Sequence, residues 1–390
     1  MTLSSEHVGR MGRFQEMLCA RGLDGALLLH AVDIYYLAAT RQNGALFVPS
    51  SGGPILVIRK SLARARGESA IADVRPFPPS REIATVLGAR GRIGTTLDGV
   101  SAATLEWWRS QLPEAEIVDI SRPLRELRSI KSPAELSALR EGGRRLASVL
   151  AEVPALLREG QREIDLSVEI EYRLRKAGSL GSPRLRGFNS ELFMGLALSG
   201  DSAARPGYFD GPVVGGGLHP SYPQGSTERL IKRGEPVFLD WTAVFGGYVV
   251  DMTRVASLGR LDDDFLRAFD VALAIQGEVA SGLRPGATGE ALWERAKAMS
   301  EEAGLGHRFM GPPGDQARFV GHGVGLELDE LPVLAPGQPA PLVVGQVVAV
   351  EPKFVLPGRG AIGIENTWVV SESGGEKLTD ALGDAILCSA

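Results

Sequence analysis

The sequence predicts a small α/β domain, residues 1–127, followed by a larger α+β domain, residues 128–390. Short apolar runs broken by Gly and Pro alternate with helical segments through residue 121, a pattern typical of α/β domains. From Ser121 the chain changes to a linker and then a long helix. Further on, two apolar, β-branched runs flank Gly246-Gly247, which predicts a strand–turn–strand hairpin. A length of 390 residues suits two domains.

The first domain begins with an amphipathic helix that we expect to end at Gly22, a common helix terminator. Apolar runs bounded by Gly or Pro then predict strands, and more polar segments between them predict helices. The predicted helices are 7–22, 60–70 and 101–112, and the predicted strands are 25–30, 34–40, 44–50, 53–59, 92–97 and 116–120.

The second domain begins with a long helix whose start is marked in the sequence. Ser132 is the expected N-cap, Pro133 the first helical residue and Glu135 the capping-box partner. The tract 178–230 is rich in Gly, Pro and Ser, and a tract this long is usually functional or partly strand. We expect further helices near 163–177, 262–282 and 288–304, and strands within 317–330, 346–355 and 361–372.

Composition narrows the classes of function. A net charge of −5 without a long basic run argues against nucleic acid as the main partner. No apolar stretch is long enough to span a bilayer, and MTLSSEHVGRMGRF lacks the apolar core of a signal peptide. Cys19 and Cys388 stand alone at opposite ends of the chain, which fits a reducing cytoplasm. We therefore expect a cytoplasmic protein with no membrane partner.

The hairpin around Gly246-Gly247 carries one carboxylate in each apolar strand, Asp240 and Asp251. A turn on the two glycines places Thr242 opposite Asp251, so that Asp240 lies on the same sheet face. A turn shifted back by one residue would set the two carboxylates directly opposite. In either arrangement two neighbouring anions are costly to bury unless a cation lies between them.

Three more ligand-type residues interrupt apolar strands near the C-terminus. They are His322, which Gly321 and Gly323 flank, and the two glutamates Glu351 and Glu365. Taken singly, such residues are more often hydrogen-bonded core or solvent-facing residues, but together with the aspartate pair they indicate a metal site. Oxygen ligands with one imidazole favour Mn²⁺, with Fe, Co and Zn as alternatives. Four carboxylates suit two divalent ions about 3.5–4 Å apart.

The ligand order resembles the dinuclear site of the pita-bread metallopeptidases, which include methionine aminopeptidase, aminopeptidase P and prolidase. Segments such as GYVVDMTR, LRPGATG, GHGVGLELDELP and VEPKF are similar to successive motifs of that family. NGALFVPSSGGPILVIR and IYYL resemble its creatinase-type N-terminal domain. The resemblance implies a pita-bread catalytic fold and a homodimer. It also implies the metal ligands Asp240, Asp251, His322, Glu351 and Glu365.

The resemblance also implies roles around the metal site. Glu351 matches the carboxylate that accepts the proton of the nucleophile and returns it to the leaving amine. His219 is the candidate for an imidazole that stabilises the tetrahedral intermediate, although a simple loop histidine is nearly as good an interpretation. Tyr208 and Tyr222, with Phe209 and Trp241, lie near the candidate site in sequence and are candidates for an apolar pocket around the substrate. Ordinary core or loop packing is an equally good interpretation of each one taken singly.

Two positions depart from the family pattern. Asp329, just before Glu330, stands where the family usually has a second histidine, and we treat it as a candidate substrate contact. Gly363 stands where family prolidases and aminopeptidases P tend to have arginine. Arg359 and Arg205 are candidate substitutes for that arginine, or else solvated loop residues.

The resemblance implies hydrolysis of the N-terminal residue of short peptides, with proline in the second position. One alternative is a metal-free amidine hydrolase like creatinase, which shares both domains but lacks the metal carboxylates. The other is a non-catalytic peptide-binding module on the same fold.

Overall fold

The computed structural model of the protein describes residues 3–389. The chain divides into two compact units. The first comprises the chain through Arg128 together with Arg186–Asn189. The second comprises Ser129–Leu185 and the chain from Ser190 onward.

The first unit is built around one mixed sheet. Its strands are β1 (Gly25–Leu28), β2 (Gly44–Pro49), β3 (Ile55–Ile58), β4 (Asp73–Pro76), β5 (Gly91–Thr95) and β6 (Ala115–Asp119). The spatial order is β4-β3-β2-β1-β5-β6. β1, β2 and β3 pair antiparallel, whereas β4, β5 and β6 each join a parallel neighbour. The mixture of parallel strands and connecting helices confirms the predicted α/β class.

Helices surround this sheet in the sequence order that an α/β domain requires. They are α1 (Leu3–Ala20), α2 (Ala31–Ala38), α3 (Leu62–Glu68), α4 (Ile83–Leu87), α5 (Ala102–Gln111) and α6 (Ser121–Ser129). Ser101 caps α5 by accepting a hydrogen bond from the Thr104 N–H. The chain leaves α1 through Gly22, whose φ of +61° is favourable for glycine.

Two sequence predictions in this part of the chain are wrong. Residues 34–40 were expected to form a strand, but Ile34–Ala38 lie in helix α2. A short apolar run has no periodicity that separates a buried strand from a buried helix. The linker predicted from Ser121 is helix α6, in which Leu124 and Arg128 are buried one turn apart. Pro123 is compatible with α6 because it lies in the first turn.

A buried carboxylate in the first unit is surrounded by cations. Asp33, on α2, is fully buried and accepts hydrogen bonds from Arg128 at 2.8 Å and from Arg186 at 2.9 Å. Thr96 donates a further bond at 3.0 Å. Although burial alone would raise it, the hydrogen bond with His30 and the two guanidinium charges hold the pKa of Asp33 well below its usual range. We call Asp33, Arg128 and Arg186 the arginine-paired cluster.

Helices of the second unit follow the predicted spacing. They are α7 (Pro133–Leu150), α8 (Val153–Leu156), α9 (Glu163–Lys176), α10 (Asp263–Ser281) and α11 (Gly289–Glu302). The start of α7 has the predicted capping box, because the Ser132 side chain accepts from the Glu135 N–H and the Glu135 side chain accepts from the Ser132 N–H. Among residues 3–389 no helix is long and apolar enough to cross a bilayer.

The strands of the second unit form three sheets. They are β7 (Gly195–Ser199), β8 (Pro236–Phe245), β9 (Tyr248–Leu258), β10 (Gly321–Val324), β11 (Leu328–Leu334), β12 (Val347–Val350), β13 (Lys353–Leu356), β14 (Gly360–Gly363), β15 (Asn366–Ser371), β16 (Gly374–Lys377) and β17 (Leu387–Ser389). The sheet orders are β17-β9-β8-β7, β11-β10-β12-β15-β16 and β13-β14.

Hydrogen bonds join the two larger sheets next to the hairpin aspartate. The Thr367 hydroxyl, on β15, donates to the Asp251 carbonyl on β9 at 3.0 Å. The Val249 N–H donates to the Gly325 carbonyl at 2.7 Å. Helix α10 packs its apolar face, which recurs every three or four residues, against β12–β14 in one continuous core. This core fixes the strands on which the ligand-type residues lie.

The Gly-rich tract between α9 and β8 is partly strand, as predicted, and is tied down by a second buried carboxylate. Glu163, at the start of α9, is fully buried. One of its oxygens accepts from the Ser199 N–H and hydroxyl and from the Ser202 hydroxyl, and the other accepts from the Thr227 N–H and hydroxyl. Both oxygens of Glu163 therefore have full sets of hydrogen-bond donors.

Candidate metal centre

The β8–β9 hairpin places Asp240 and Asp251 on one face of the sheet. Gly246 and Gly247 have φ values of +58° and +91°, the left-handed conformations that a tight two-residue hairpin turn requires. The register pairs Thr242 with Asp251 and Asp240 with Thr253. This is the first of the two predicted registers, and it makes the aspartates diagonal neighbours.

His322 reaches the same region from β10. The flanking glycines allow tight strand packing, since a Cβ at Gly321 would lie 2.5 Å from the Ala349 carbonyl oxygen and one at Gly323 would lie 2.4 Å from the Leu331 carbonyl oxygen. The two glycines thus let neighbouring strands approach β10 closely. This close approach leaves the His322 side chain buried against the carboxylates, with 9% of it exposed.

Glu351 and Glu365 lie where strands end, at the points where the sheets meet. Glu351 follows β12 and donates its N–H to the Val320 carbonyl at 2.9 Å, while Glu365 lies between β14 and β15. The Thr253 hydroxyl donates to Glu365 Oε2 at 2.8 Å. The structure thus brings together all five residues that the sequence predicts as metal ligands: Asp240, Asp251, His322, Glu351 and Glu365.

Three of the five form a compact ligand group. One ligand atom each from Asp251, His322 and Glu365 lies within 4.8 Å of the others, and all three residues are buried. His322 Nε2 is 3.8 Å from Asp251 Oδ2 and 3.8 Å from Glu365 Oε1. Glu351 Oε1 lies 3.3 Å from the same nitrogen. An imidazole nitrogen facing three carboxylates is a donor set typical of borderline divalent ions.

Unpartnered atoms test whether these residues fit a metal ion. Within residues 3–389, Asp251 Oδ1 and Glu365 Oε1 are buried without a hydrogen-bond partner. Buried carboxylate oxygens almost always have partners, and leaving one without a partner costs on the order of 1–3 kcal/mol. A cation bound between them would satisfy both atoms. The donor set therefore fits a divalent ion at this group.

Lys353, on β13, enters the same cluster from the other side. Its Nζ donates to Asp240 Oδ2 at 2.8 Å, to Glu351 Oε2 at 2.6 Å and to Glu365 Oε2 at 3.0 Å. The side chain of Lys353 is 2% exposed. This residue was missed as a site residue in the sequence, where a lysine two positions after Glu351 looks like a solvent-facing strand residue. A lysine at the start of the otherwise apolar run KFVL is the sequence feature that could have identified it.

Burial, and then the charge of neighbouring carboxylates, raises the pKa values of three carboxylates in this cluster. Burial raises the pKa of Asp251 well above its ordinary value, and the negative charges of Glu365 and Asp240 raise it further. Burial also raises the pKa of Asp240 and of Glu365, against the opposing charge of Lys353. Burial and repulsion together thus outweigh the attraction of the one lysine, so the cluster favours an added cation.

The pKa values of the two basic residues are also raised, against the effect of burial. Burial alone would lower the pKa of Lys353, but the charges of Asp240, Glu351 and Glu365 raise it well above the ordinary value. Burial would likewise lower the pKa of His322, but the hydrogen bond with Glu351 and the charge of Asp329 raise it. Bound metal would replace the proton on the His322 nitrogen that it occupies.

Asp329 lies beside this group, whereas the contacts of the other predicted substrate residues are with their own neighbours in the second unit. Asp329 Oδ1 is 3.4 Å from His322 Nδ1, and its φ of +62° is tolerated by aspartate. His219 is exposed and hydrogen-bonds with Ser221 in its own turn. The Tyr222 ring contacts Phe193, with ring centroids 4.5 Å apart.

The remaining predicted side chains have local contacts. The exposed Tyr208 hydroxyl donates to the Glu191 carbonyl at 3.2 Å. Trp241 is fully buried within β8. Arg359 pairs with Asp262 at 2.8 Å and with Asp264 at 2.7 Å.

Comparison with known proteins agrees with this geometry. Residues 137–372 match metallopeptidase family M24, and residues 10–130 match the creatinase/prolidase N-terminal domain. The chain belongs to metallopeptidase family M24. Membership confirms the predicted resemblance, the pita-bread fold and the assignment as a metallopeptidase, and it implies divalent metal ions.

Named relatives span nearly the whole chain. A probable dipeptidase PepE of Mycobacterium tuberculosis (strain ATCC 25618 / H37Rv) is 27% identical over 372 residues, covering 90% of this chain and 89% of the relative. The Xaa-Pro dipeptidase of Pyrococcus furiosus is 23% identical over 374 residues, covering 95% and 97%. The crystal structure of dipeptidase PepE from Mycobacterium ulcerans superposes with a TM-score of 0.82 at 25% identity, covering 99% of both chains.

Proposed function

We propose that this M24 protein is an exopeptidase that uses divalent metal to hydrolyse the bond between the N-terminal residue and proline in Xaa-Pro dipeptides and short Xaa-Pro peptides. The observation that carries this proposal is the buried group of Asp251, His322 and Glu365. Within residues 3–389, one oxygen of each carboxylate lacks a hydrogen-bond partner, and both carboxylates lie 3.8 Å from the same imidazole nitrogen. Relatives named dipeptidase and Xaa-Pro dipeptidase support the substrate class.

Different residues of the site bind the metal and transfer the proton. Asp251, His322 and Glu365 would hold the metal, with Glu351 as a further ligand. When bound there, it would activate water as the nucleophile at neutral pH and polarise the scissile carbonyl. Glu351 accepts the proton of the nucleophile and passes it to the leaving nitrogen of proline. Its Oε1 faces the His322 ring at 3.3 Å, so it borders the space where the water would lie.

Asp329 positions the metal-ligating imidazole. Its carboxylate faces His322 Nδ1, the ring nitrogen opposite the one that faces the ligand carboxylates. A carboxylate in this position fixes the tautomer of a ligating histidine and increases its basicity. We retain Tyr208, Tyr222 and His219 as substrate-side residues, with His219 as the donor to the tetrahedral intermediate.

The proposal also covers the metal, the cellular compartment and the oligomeric state. Mn²⁺ is the preferred metal because the donors are oxygens with one imidazole. Exposed free thiols at Cys19 and Cys388 suit the cytoplasm. The proposal that the protein is a homodimer rests on the family resemblance, and light scattering of the purified protein tests it.

Peptide hydrolysis with and without metal tests this proposal. The purified protein is treated with chelator, and Ala-Pro, Leu-Pro and Ala-Ala are offered before and after Mn²⁺ is restored. We expect release of Ala and Leu from the proline peptides after Mn²⁺ addition, and little from Ala-Ala. Asp251→Asn is the control for contaminating peptidases.

Two other outcomes point to the alternatives. Hydrolysis of creatine by the chelated protein would favour a metal-free amidine hydrolase. Tight binding of Xaa-Pro peptides without turnover in any metal would favour a binding module. Peptide hydrolysis that survives the chelator and Asp251→Asn would contradict the metal site itself.

A further inference from the structure

Lys353 is the feature of the second unit that the metallopeptidase assignment leaves unexplained. A lysine side chain is rarely buried to this degree, and here three carboxylates surround its Nζ within 3.0 Å. Two of those carboxylates, on Glu351 and Glu365, also border the group that fits a metal ion. Lys353 therefore lies beside the metal position without occupying it.

We propose that the Lys353 ammonium takes the place of a second metal ion, so that this site holds one divalent ion beside a fixed cation. The inference rests on the proposed function, because it assumes that Asp251, His322 and Glu365 hold the one ion. It revises the two ions that the five-ligand pattern predicts.

Geometry is the first support. Asp240 Oδ2, Glu351 Oε2 and Glu365 Oε2 surround Lys353 Nζ at 2.8, 2.6 and 3.0 Å. A metal ion bound to the same three oxygens at about 2.0–2.2 Å would lie at nearly the same point as the nitrogen. The ammonium and such an ion exclude each other in both space and charge. The oxygens of Asp251, by contrast, have no bond to Lys353.

The strand around Lys353 holds it in place. Lys353 pairs with Gly363 across β13 and β14. A Cβ at Gly363 would lie 2.9 Å from Lys353 Cγ and 2.6 Å from the Pro352 carbonyl oxygen, so only glycine leaves room for the lysine stem. The Phe238 ring lies 5.7 Å from Nζ. Glycine at 363, where the family tends to have arginine, and lysine at 353 thus form one local arrangement.

Charge is the second support. Asp240, Asp251, Glu351 and Glu365 supply four negative charges at neutral pH when metal is bound. One divalent ion and the ammonium supply three positive charges, so the cluster keeps a slight excess of negative charge. A second divalent ion would bring the positive charges to five and place two of them against an ammonium. Like charges this close in a buried site repel strongly.

Metal content of the purified chain tests the proposal without reference to activity. The protein is stripped with chelator, reloaded with excess Mn²⁺, freed of unbound metal and measured by elemental mass spectrometry. We expect about one ion per chain, whereas a dinuclear site would give about two. Electron paramagnetic resonance of the same sample should show magnetically isolated Mn²⁺, because two ions about 3.5–4 Å apart would be spin-coupled.

A lysine variant and its control complete the test. Lys353→Ala opens the oxygens of Asp240, Glu351 and Glu365, and we expect its content to rise to about two ions per chain with a spin-coupled signal. Lys377→Ala is the matched control, since Lys377 also pairs with a carboxylate of the second unit, Asp384, at 2.5 Å. It should keep the wild-type count.

The outcomes separate this inference from the proposed function. Two coupled ions in the wild type would overturn the role of Lys353 and leave the metallopeptidase proposal standing. No bound ion in the wild type would overturn both. A folded Lys353→Ala that still binds one isolated ion would show that the ammonium does not exclude the second. If Lys353→Ala fails to fold, the wild-type count and resonance signal decide alone.

Discussion

Two buried aspartates, Asp33 in the first unit and Asp251 in the second, have opposite electrostatic surroundings. Asp33 lies between two arginines, and its pKa is held well below the ordinary range. Asp251 lies among other carboxylates, and its pKa is raised well above that range. Both side chains are buried and both lie on regular elements, so burial alone does not explain why their pKa values shift in opposite directions. The charges around each aspartate explain the difference.

This difference distinguishes a carboxylate that stabilises the fold from one that is available to bind a cation. Asp33 has hydrogen-bond partners and opposite charge within the protein. Asp251 keeps an oxygen without a partner in the described residues. Functional sites typically contain buried ionisable groups whose charge the rest of the folded protein does not compensate. The comparison therefore predicts that neutralising the two aspartates has opposite consequences.

The largest effect should come from breaking the arginine-paired cluster. Asp33→Asn leaves Arg128 and Arg186 without their buried counter-charge, and we expect a loss of about 3–5 kcal/mol in the free energy of unfolding at pH 7. Because the folded-state pKa of Asp33 is lowered, its contribution is fully present above about pH 4 and falls as the pH drops further. Denaturant unfolding at pH 7 and pH 3 measures this. A gap between variant and wild type that stays constant with pH would contradict it.

The next largest effect should come from removing the carboxylate that we propose as the proton acceptor. Glu351→Gln preserves the shape of the side chain but removes the proton acceptor, and we expect kcat on a Xaa-Pro peptide to fall by on the order of 10²-fold or more. Metal content measured on the same sample separates this loss from a loss of ligand. Wild-type kcat with full metal would remove Glu351 from the mechanism.

Asp251→Asn should have a smaller effect on stability, opposite in sign to that of Asp33→Asn. The raised pKa of Asp251 means that the charged carboxylate destabilises the metal-free fold, increasingly as the pH rises above the unfolded-state value of about 3.9. Asp251→Asn should therefore raise the melting temperature in chelator, with a gain on the order of 1 kcal/mol. With Mn²⁺ present the order should reverse, because only the wild type gains binding energy. Calorimetry in both buffers checks this, and destabilisation in chelator would contradict the comparison.

The smallest effect concerns peptide length. Gly363 provides no side chain to hold the free carboxylate of a dipeptide, and Arg359 is already paired with Asp262 and Asp264. We expect Ala-Pro-Ala to be cleaved at least as well as Ala-Pro, and both weakly. A tenfold preference in kcat/KM for Ala-Pro, about 1.4 kcal/mol, would mean that another cation such as Arg205 holds the carboxylate.

Much of the catalytic unit could be predicted because its signals are local. The Gly246-Gly247 turn fixes the hairpin register and thereby the positions of Asp240 and Asp251. The capping box of Ser132 and Glu135 likewise marks the start of α7. Carboxylates within apolar strands indicate a site, since such strands rarely carry them without a partner.

Other features depend on contacts between distant parts of the chain. Lys353 was missed because its role appears only when Asp240 and Glu365 meet it in space. Residues Arg186–Asn189 belong to the first unit, where Arg186 pairs with Asp33 and Asp98, and no local pattern in the sequence indicates this. The strand predicted at 34–40 is helix α2 because tertiary packing overrides the preference of a short apolar run.

Calorimetric titration of Mn²⁺ into the chelated protein tests most directly whether the unpartnered carboxylates form the metal centre. Asp251→Asn is compared with Glu163→Gln, which alters a buried carboxylate of the same unit whose oxygens already have donors. We predict that Asp251→Asn loses the Mn²⁺ binding isotherm and that Glu163→Gln keeps it. Undiminished Mn²⁺ binding by Asp251→Asn would contradict the account.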